Sequence, residues 1–396
     1  MTYSRMFIAL LVCAHPLIGG SILSSHGLGL PYDNPTVRAM GMGYAALANP
    51  SSSRIEHTNP AGLAYTRTTQ LTIQGIFHQN RYKDPESNAT SYYANFDGFH
   101  FAVPFGKGLT ASFGLKPVTR VDYRIAFADQ IESDAYTRSL KGSGGINRFA
   151  FAAAWTPANR VSIGVRASFL VGRIIEESRN RFESASDFTS SHDRISTYAH
   201  GFNWTAGLIV RPARAWTVGA VYSPSANLDT EIDLSQIFST SSLRDGLIRY
   251  PSSYGIGISY LLRNRFLIAM DYQVIEWSGL HINETGLEET RNSPRIAFGV
   301  EKTPSTGPYA AYLKRIPLRL GFCYQPYYIL DPNGEALSEF WATFGFGLPL
   351  FHDTSHLDFM IGLGRRGSLE TNGLEENLIR FGVSITGGEQ WFVRKY

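Results

Sequence analysis

The sequence predicts an all-β fold, a transmembrane antiparallel β-barrel of about 14 strands with an N-terminal hatch inside its lumen. Residues 161–171 read Val-Ser-Ile-Gly-Val-Arg-Ala-Ser-Phe-Leu-Val, and this alternation of apolar with small or polar residues recurs almost to the C-terminus. A period of two gives each strand one apolar and one polar face. Short turns also alternate with longer polar loops, as in outer-membrane barrels. A soluble sandwich, the alternative, has no reason to keep that order.

The first 25 residues resemble a secretory signal peptide, with Arg5 before an apolar core at 6–13 and small residues near 19–25. This core is too short to span a bilayer as a helix. Leu-Leu-Val-Cys13 weakly resembles a lipoprotein cleavage site, but the valine before the cysteine argues against lipidation. No run of about 18 apolar residues follows residue 30, so the sequence predicts no membrane-spanning helix. We therefore expect an exported protein that crosses the outer membrane with strands.

The composition agrees with a barrel. Hydrophobic residues make up 43% of the chain and its mean hydropathy is −0.12, since lipid-facing and lumen-facing residues cancel in any window. The net charge of +3 comes without a basic patch interleaved with aromatics, so nucleic acid is not an expected partner. Cys13 lies in the signal segment, and Cys323 falls among the inward positions of a strand, so we expect no disulfide.

The alternation places fourteen strands in order along the chain. They are predicted at 69–82, 91–104, 108–124, 145–156, 160–177, 196–211, 214–223, 250–262, 265–277, 293–303, 314–327, 338–349, 356–366 and 376–386. The long loops are predicted at 125–144, 178–195, 224–249, 278–292 and 328–337.

The strand faces follow from the same period. The predicted lipid-facing residues are Val161, Ile163, Val165, Phe169, Leu208, Val218, Ile256, Leu320, Ile361 and Val383. Aromatic residues near strand ends, which favour the headgroup level, are Trp155, Trp216, Tyr222, Tyr260, Trp277 and Tyr324. The charged residues of the inward set are Arg166, Arg173, Asp271, Arg319, Asp358 and Arg380.

Residues 26–68 differ from the rest because they are rich in glycine and alanine and lack alternation. A segment of this size before a wide barrel could fold inside it as a plug. The predicted organisation is a signal peptide at 1–25, a hatch at 26–68, a barrel at 69–388 and a periplasmic tail at 389–396.

Several residues of this segment resemble the N-terminal hatch of the FadL-type long-chain fatty-acid transporters. They are Gly41, Gly43, Ala45-Ala46, the serines at 51–53 and Asn59-Pro60-Ala61-Gly62-Leu63. The resemblance implies a fourteen-stranded outer-membrane barrel whose lumen is plugged by the hatch and which passes hydrophobic compounds by diffusion. Residues 271–278, 364–368 and 389–396 resemble FadL-related barrels of unassigned substrate from Bacteroidetes- or Chlorobi-like bacteria.

Candidate site residues fall in three groups. Gly41, Gly43, Asn59, Pro60 and Ala61 are expected to form tight turns of the hatch. The apolar stretch 231–248, with Ile237, Phe238 and Leu243, is the candidate landing surface for a hydrophobic ligand, whereas the polar loop 178–195 is not. The lumen arginines Arg166, Arg319 and Arg380 could hold a ligand carboxylate bidentately or form structural ion pairs, and the sequence leaves both roles open.

Enzyme signals are weak. The chain has no Gly-x-Ser-x-Gly elbow, His-Glu-x-x-His motif or phosphate loop, and its ten histidines show no metal-ligand spacing. The stretch Gly41-Met-Gly-Tyr-Ala-Ala46 weakly resembles a dinucleotide-binding fingerprint, but no predicted strand precedes it. Residues 191–193 and 355–358 contain triad residue types only as local neighbours, so hydrolysis at the outer rim is a minor alternative. We expect no cofactor and no metal.

Two functions remain open. The first is passive uptake of hydrophobic small molecules, such as fatty acids or hydrocarbons, through a hatch-gated barrel. The second is a scaffold for periplasmic or secretion partner proteins without small-molecule transport. Outer-membrane lipid and lipopolysaccharide are expected to surround the barrel in both cases. A continuous apolar pocket beside the hatch would favour uptake, and an interior filled by side chains would favour the scaffold.

Overall fold

The computed structural model describes residues 20–85, 88–131, 134–182, 189–235, 243–282, 285–286, 290–305, 311–331, 334–350 and 354–391. Predictions that concern other residues, including the cleavage of the signal peptide, lie outside this part of the chain. Ser21–Ser25, which we assigned to the predicted signal peptide, are described, and their Ile22–Ser25 portion forms a 3-10 helix.

Strands dominate the described residues. They are β1 Leu30–Pro31, β2 Thr69–Lys83, β3 Asn88–Gly106, β4 Leu109–Pro117, β5 Thr119–Ile131, β6 Asp134–Ala158, β7 Val161–Phe182, β8 Ser191–Ala213, β9 Trp216–Ser223, β10 Ala226–Ser235, β11 Leu243–Tyr250, β12 Ser253–Leu262, β13 Phe266–Ile275, β14 His281–Ile282, β15 Thr285–Gly286, β16 Ser293–Lys302, β17 Leu318–Leu330, β18 Ala336–Leu350, β19 Ser355–Ser368 and β20 Leu374–Glu389. The helices are short: α1 Val37–Met40, α2 Leu369–Asn372, and 3-10 turns at Ile22–Ser25, Pro60–Tyr65, Trp277–Gly279 and Tyr312–Arg315.

The strands form one closed antiparallel barrel of 14 positions, which confirms the predicted fold class. β20 pairs with β2, from Thr69 opposite Glu389 to Lys83 opposite Glu375, and this pairing closes the sheet. At three of the 14 positions around the barrel, two consecutive strands lie end to end and pair with the same neighbouring position. These are β4 with β5, β9 with β10, and β11 with β12. No helix among the described residues combines the length and the apolar character needed to span a membrane.

The outer face is apolar, as predicted. Val165, Ile256 and Leu320 are 56%, 56% and 60% exposed, although each would be a core residue in a soluble protein. Two assignments of the sequence are wrong. Arg173 points outward, with its guanidinium 4.8 Å from the Tyr198 ring. Trp277 is 1% exposed and stacks on Tyr328 inside the barrel, so it does not belong to an interfacial belt.

The predicted loops at 125–144 and 224–249 are largely strands, which corrects the sequence assignment. β6, β7 and β8 have 25, 22 and 23 residues, whereas β13 and β16 have 10 each. Beyond the membrane the outer face of a strand contacts water instead of lipid, so the apolar signal of that face disappears while the ladder hydrogen bonds persist. We call this extension the raised wall. It comprises residues 119–131, 134–146, 172–182, 191–201, 226–235 and 243–250.

One side of the barrel has a seam. β3 pairs with β4 only from Phe99 to Gly106, and β5 then turns away and pairs on that edge with β1 of the hatch, where Leu30 lies opposite Arg120. The backbone N–H of Tyr32 continues this contact by donating to the Val118 carbonyl at 2.8 Å. The N-terminal segment therefore occupies the interval where β3 and β5 would otherwise pair.

Three buried clusters fill the interior from end to end. Toward the long loops, Leu23 and Leu28 pack with Trp277 and Tyr328. In the middle, hatch residues including Met40 and Met42 pack against the inward face. Toward the short turns, Ile55 and Leu63 pack against Ala102 and Ala154.

Candidate functional site: the hatch and its seat

We use the term hatch for residues 20–66, which begin before the predicted bound at residue 26, and this segment meets the barrel across inward glycines of several strands. We call this set the seat; it consists of Gly164, Gly207, Gly219, Gly257, Gly299, Gly321 and Gly345. Three pairs of them are direct cross-strand partners: Gly164 with Gly207, Gly219 with Gly257, and Gly299 with Gly321. The seat is thus a band of wall without side chains.

The hatch backbone fills the space that these missing side chains leave. A Cβ on Gly321 would lie 2.6 Å from the Cα of Gly43, and a Cβ on Gly219 would lie 2.7 Å from the Leu47 carbonyl carbon. Both distances are far inside van der Waals contact, so the wall tolerates only glycine here unless the hatch moves.

Six buried charges tie the hatch to the wall. Arg38 bridges Glu56 of the hatch at 3.0 Å and Glu301 of β16 at 2.9 Å. Arg319 bridges Glu301 and Asp358 at 2.6 and 2.8 Å, and Asp358 accepts from Arg54 of the hatch at 2.6 Å. Three guanidinium groups thus meet three carboxylates, so the network carries no net charge. Breaking one member would leave an uncompensated buried charge, which is costly.

Two further residues fix the hatch backbone. The Asn59 side chain accepts from Ala61 N at 3.1 Å, capping the Pro60–Tyr65 turn, and donates to the carbonyl oxygens of Leu47, Leu208 and Ala220 at 2.9, 3.2 and 3.3 Å. The Asp271 carboxylate accepts from the backbone N–H groups of Ala46 and Leu47 at 2.6 and 2.8 Å.

The predicted lumen arginines all contact the hatch or its anchors. Arg166 donates to the His57 carbonyl and to Thr205 Oγ1, both at 2.9 Å. Arg380 donates to the Tyr44 hydroxyl at 2.9 Å and lies 4.0 Å from the Trp341 ring centre. Arg319 belongs to the six-charge network. The contacts of these three arginines therefore support an anchoring role, and the binding of a ligand carboxylate stays a prediction.

Of the other predicted site residues, those of the hatch are described by the structure, whereas most of those in the candidate landing surface are not. Gly43 has a positive φ of 62° and forms a turn. Gly41 has a φ of −64° and lies close to the wall, since a Cβ on Gly41 would be 3.1 Å from the Cα of Gly345. Pro60 and Ala61 begin the 3-10 turn that Asn59 caps. Ile237 and Phe238 lie outside the described residues, and of Leu243 only the backbone is described, in β11.

Sequence reasoning missed most of the charged anchors. Arg38, Arg54 and Glu56 lie in a segment without periodicity, so no pattern marks them as buried. Glu301 carried a usable signal, because it is the cross-strand partner of Arg319 on the inward face of adjacent strands.

The remaining interior space is small and divided. Two neighbouring cavities of about 80 and 60 Å³ share Asp33 and Arg295 and are rich in charged side chains. A third, of about 150 Å³, lies near the long-loop end beside Ile174, Ile232 and Ile248. The described residues contain no group of three metal-ligating side chains.

Comparison with known protein families decides the affiliation. The chain matches the family described as BamG over residues 6–396. The chain belongs to the BamG family. No curated protein sequence matches it. The Bacteroidetes- or Chlorobi-like affiliation of this BamG-family member stays a prediction.

Solved structures show what this BamG-family fold is similar to. The toluene transporter TbuX of Ralstonia pickettii is 13% identical, with a TM-score of 0.61 over 90% of this chain and 99% of its own. The Pseudomonas putida toluene transporter TodX is 15% identical, with a TM-score of 0.61 over 90% and 98%. A Pseudomonas aeruginosa FadL homologue is 12% identical, with a TM-score of 0.60 over 91% and 99%. The fold is thus that of FadL-like outer-membrane transporters, and at these identities the likeness concerns the fold alone.

Proposed function

We propose that this BamG-family protein is an outer-membrane barrel that acts as a scaffold for partner proteins. The observation that carries the proposal is the raised wall. About 9–11 tilted residues cross a bilayer as a strand, so β6, β7 and β8, with 25, 22 and 23 residues, extend well beyond it. The extension stands on one side of the barrel, since β13 and β16 have only 10 residues.

The outer face of the raised wall carries separated charges. Lys141, Arg173 and Arg179 are exposed on β6 and β7. Two strands away, Asp229 and Glu231 are exposed on β10. By register these residues lie on the same sheet face as the lipid-facing Ile163 and Leu208. Adjacent patches of opposite charge orient a protein partner and accelerate its association.

The fixed hatch supports the same proposal. A neutral six-charge network and a backbone-to-backbone seat hold the plug at many points, which suits a barrel whose working surface is its wall. The likeness to hydrocarbon transporters does not decide against this, because one fold hosts unrelated functions.

Site-specific photo-crosslinking in intact cells tests the scaffold. A photoreactive residue replaces Arg179 or Glu231 on the raised wall, and the matched control replaces Leu320 on the lipid-facing side of β17. We expect one and the same protein adduct from both wall positions and only lipid adducts from the control. Identical adduct patterns at all three positions would contradict the proposal.

A second candidate is hatch-gated passive uptake of hydrophobic small molecules, such as fatty acids or hydrocarbons. The seam favours it, because among the described residues the hatch segment alone fills the interval between β3 and β5. A ligand would land on residues 231–248, pass the cavity beside Ile232 and leave through the seam after the hatch shifts. Burial of an acyl chain would supply about 0.8 kcal/mol per methylene.

Proteoliposomes containing the purified protein test uptake. Saturable entry of labelled oleate or toluene that increases when Glu301→Gln loosens the hatch would support it. Entry equal to that of empty liposomes would contradict uptake and leave the scaffold proposal standing.

A further inference from the structure

The cavity of about 60 Å³ lies between the hatch and the wall, on the long-loop side of the seat. Asp33 and His57 of the hatch line it on one side. Arg148, Arg166 and Arg295 of the barrel line it on the other.

The charges around this cavity do not balance. Three guanidinium groups face a single carboxylate among the lining residues described. That carboxylate, Asp33, is already shared between Arg148 at 2.9 Å and Lys116 at 2.8 Å. His57 adds no negative charge, because an imidazole is neutral or positive, and its Nε2 lies 3.2 Å from the Lys116 ammonium. Buried positive charge without a counter-charge is expensive, so this lining favours an anionic ligand.

Two buried donors of the cavity lack an acceptor. Trp277 Nε1 and Arg166 Nε have no hydrogen-bond partner among the described residues, although these residues are only 1% and 9% exposed. An indole N–H can only donate, and so can a guanidinium. A ligand that satisfies both donors must therefore accept hydrogen bonds.

From these observations we propose that the cavity binds a small oxyanion of the size of phosphate or sulfate, which joins the hatch to the wall. Guanidinium groups match the oxygens of such an anion in a planar, bidentate arrangement. Hydroxyl groups of Thr205, Ser223 and Ser253 complete a polar lining.

The lining of the cavity separates this ligand from a lipid. Charged, hydroxyl, amide and imidazole side chains surround the space of about 60 Å³, so a small oxyanion or a few waters suit it better than an acyl chain. The charge excess selects the anion over water. The inference concerns the anchoring of the hatch and holds for a scaffold and for a channel alike.

Direct binding to the purified full chain tests the site. The protein is prepared in detergent without phosphate or sulfate, and labelled inorganic phosphate is added by equilibrium dialysis at fixed ionic strength. We expect one saturable site per chain, competition by sulfate and no competition by oleate. Phosphate carried from the cells and released on acid denaturation provides an independent measure of occupancy.

Variants identify the cavity as the site. Arg295→Gln removes one guanidinium, and Trp277→Phe removes one N–H with little change in shape. We expect about tenfold or greater weakening for the first and a smaller weakening for the second. Arg214→Gln, in the exposed turn between β8 and β9, is the control and should bind like the parent. Heat-modifiable migration on gels verifies that each barrel is folded.

Absence of saturable phosphate binding by the parent protein and of phosphate released from it would overturn the proposal. Unchanged affinity in folded Arg295→Gln and Trp277→Phe would overturn it as well. Displacement of phosphate by oleate would reassign the cavity to a lipid carboxylate.

Discussion

Arg38 in the hatch and Glu301 in the wall form a two-point ion pair, with Nε–Oε2 at 3.0 Å and Nη2–Oε1 at 2.9 Å. The two residues lie 263 positions apart in the chain. Both are buried, and Glu301 also accepts from Arg319. The pair is therefore the central link between a segment with almost no regular structure and a rigid barrel.

Glu301→Gln should loosen the hatch without opening the barrel. The substitution removes the negative charge that Arg38 and Arg319 share, and leaving a buried charge uncompensated lowers stability by about 3–5 kcal/mol. Hydrogen exchange of hatch peptides, read by mass spectrometry, measures the effect. The control Glu375→Gln breaks the pair with Arg365, whose side chain is 56% exposed, and should cost about 0–1 kcal/mol. Equal exchange in the two variants would refute the central role of Glu301.

Gly321→Ala should displace the hatch from its seat. The added methyl group would lie 2.6 Å from the Gly43 Cα, and overpacking of this kind costs about 1–3 kcal/mol. Gly387→Ala is the matched control, because nothing lies within 4 Å of its Cβ position. Ion conductance in planar bilayers should rise for Gly321→Ala and stay at the parental level for the control. A parental conductance and exchange profile in Gly321→Ala would argue against a tight seat.

Asn59→Ala should weaken the end of the hatch near the short turns. The substitution removes the cap of the 3-10 turn, worth about 1 kcal/mol, and the amide that reaches Leu208 and Ala220. Proteolysis of the hatch should accelerate several-fold at unchanged barrel stability. Asn88→Ala, at the exposed start of β3, serves for comparison and should be resistant. Equal resistance of both variants would count against the anchoring role.

The hatch should become less stable as the pH falls from 7 to 5. Burial, together with His100 and the nearby Lys116 ammonium, holds the pKa of His57 well below its usual range. The native state then stays unprotonated while the unfolded hatch takes up a proton below about pH 6.5, so the free energy of unfolding decreases by up to about 1.4 kcal/mol per pH unit. Hydrogen exchange at several pH values measures this slope.

His57→Gln should flatten that pH dependence, because glutamine does not titrate in this range. His200→Gln, on the exposed outer face of β8, should leave it unchanged. A slope in His57→Gln as steep as in the parent would assign the effect to other groups.

The candidate site was only partly predictable. The hatch itself was visible as a glycine- and alanine-rich interruption of the strand pattern, and Asn59 and Gly43 were identified within it. Arg38 and Arg54 could not be, because their burial depends on Glu301 and Asp358, carboxylates on strands far away in sequence. The seat was equally hidden, since a strand glycine facing water and one facing a hatch look the same in a sequence.

The sequence by itself determined the barrel, because alternation along a strand depends only on local residues and shows that the two faces of the sheet meet different environments, one apolar and one polar. It did not determine the height of the wall, since the outer face of residues 134–146 and 226–235 carries polar side chains such as Asp229 and Glu231 instead of an apolar band, although inward residues such as Leu228 are buried. Only the tertiary structure decided how the lumen is closed. Close backbone approach at Gly321 and charge pairing between Arg38 and Glu301 are properties of two segments together, and neither segment carries them alone.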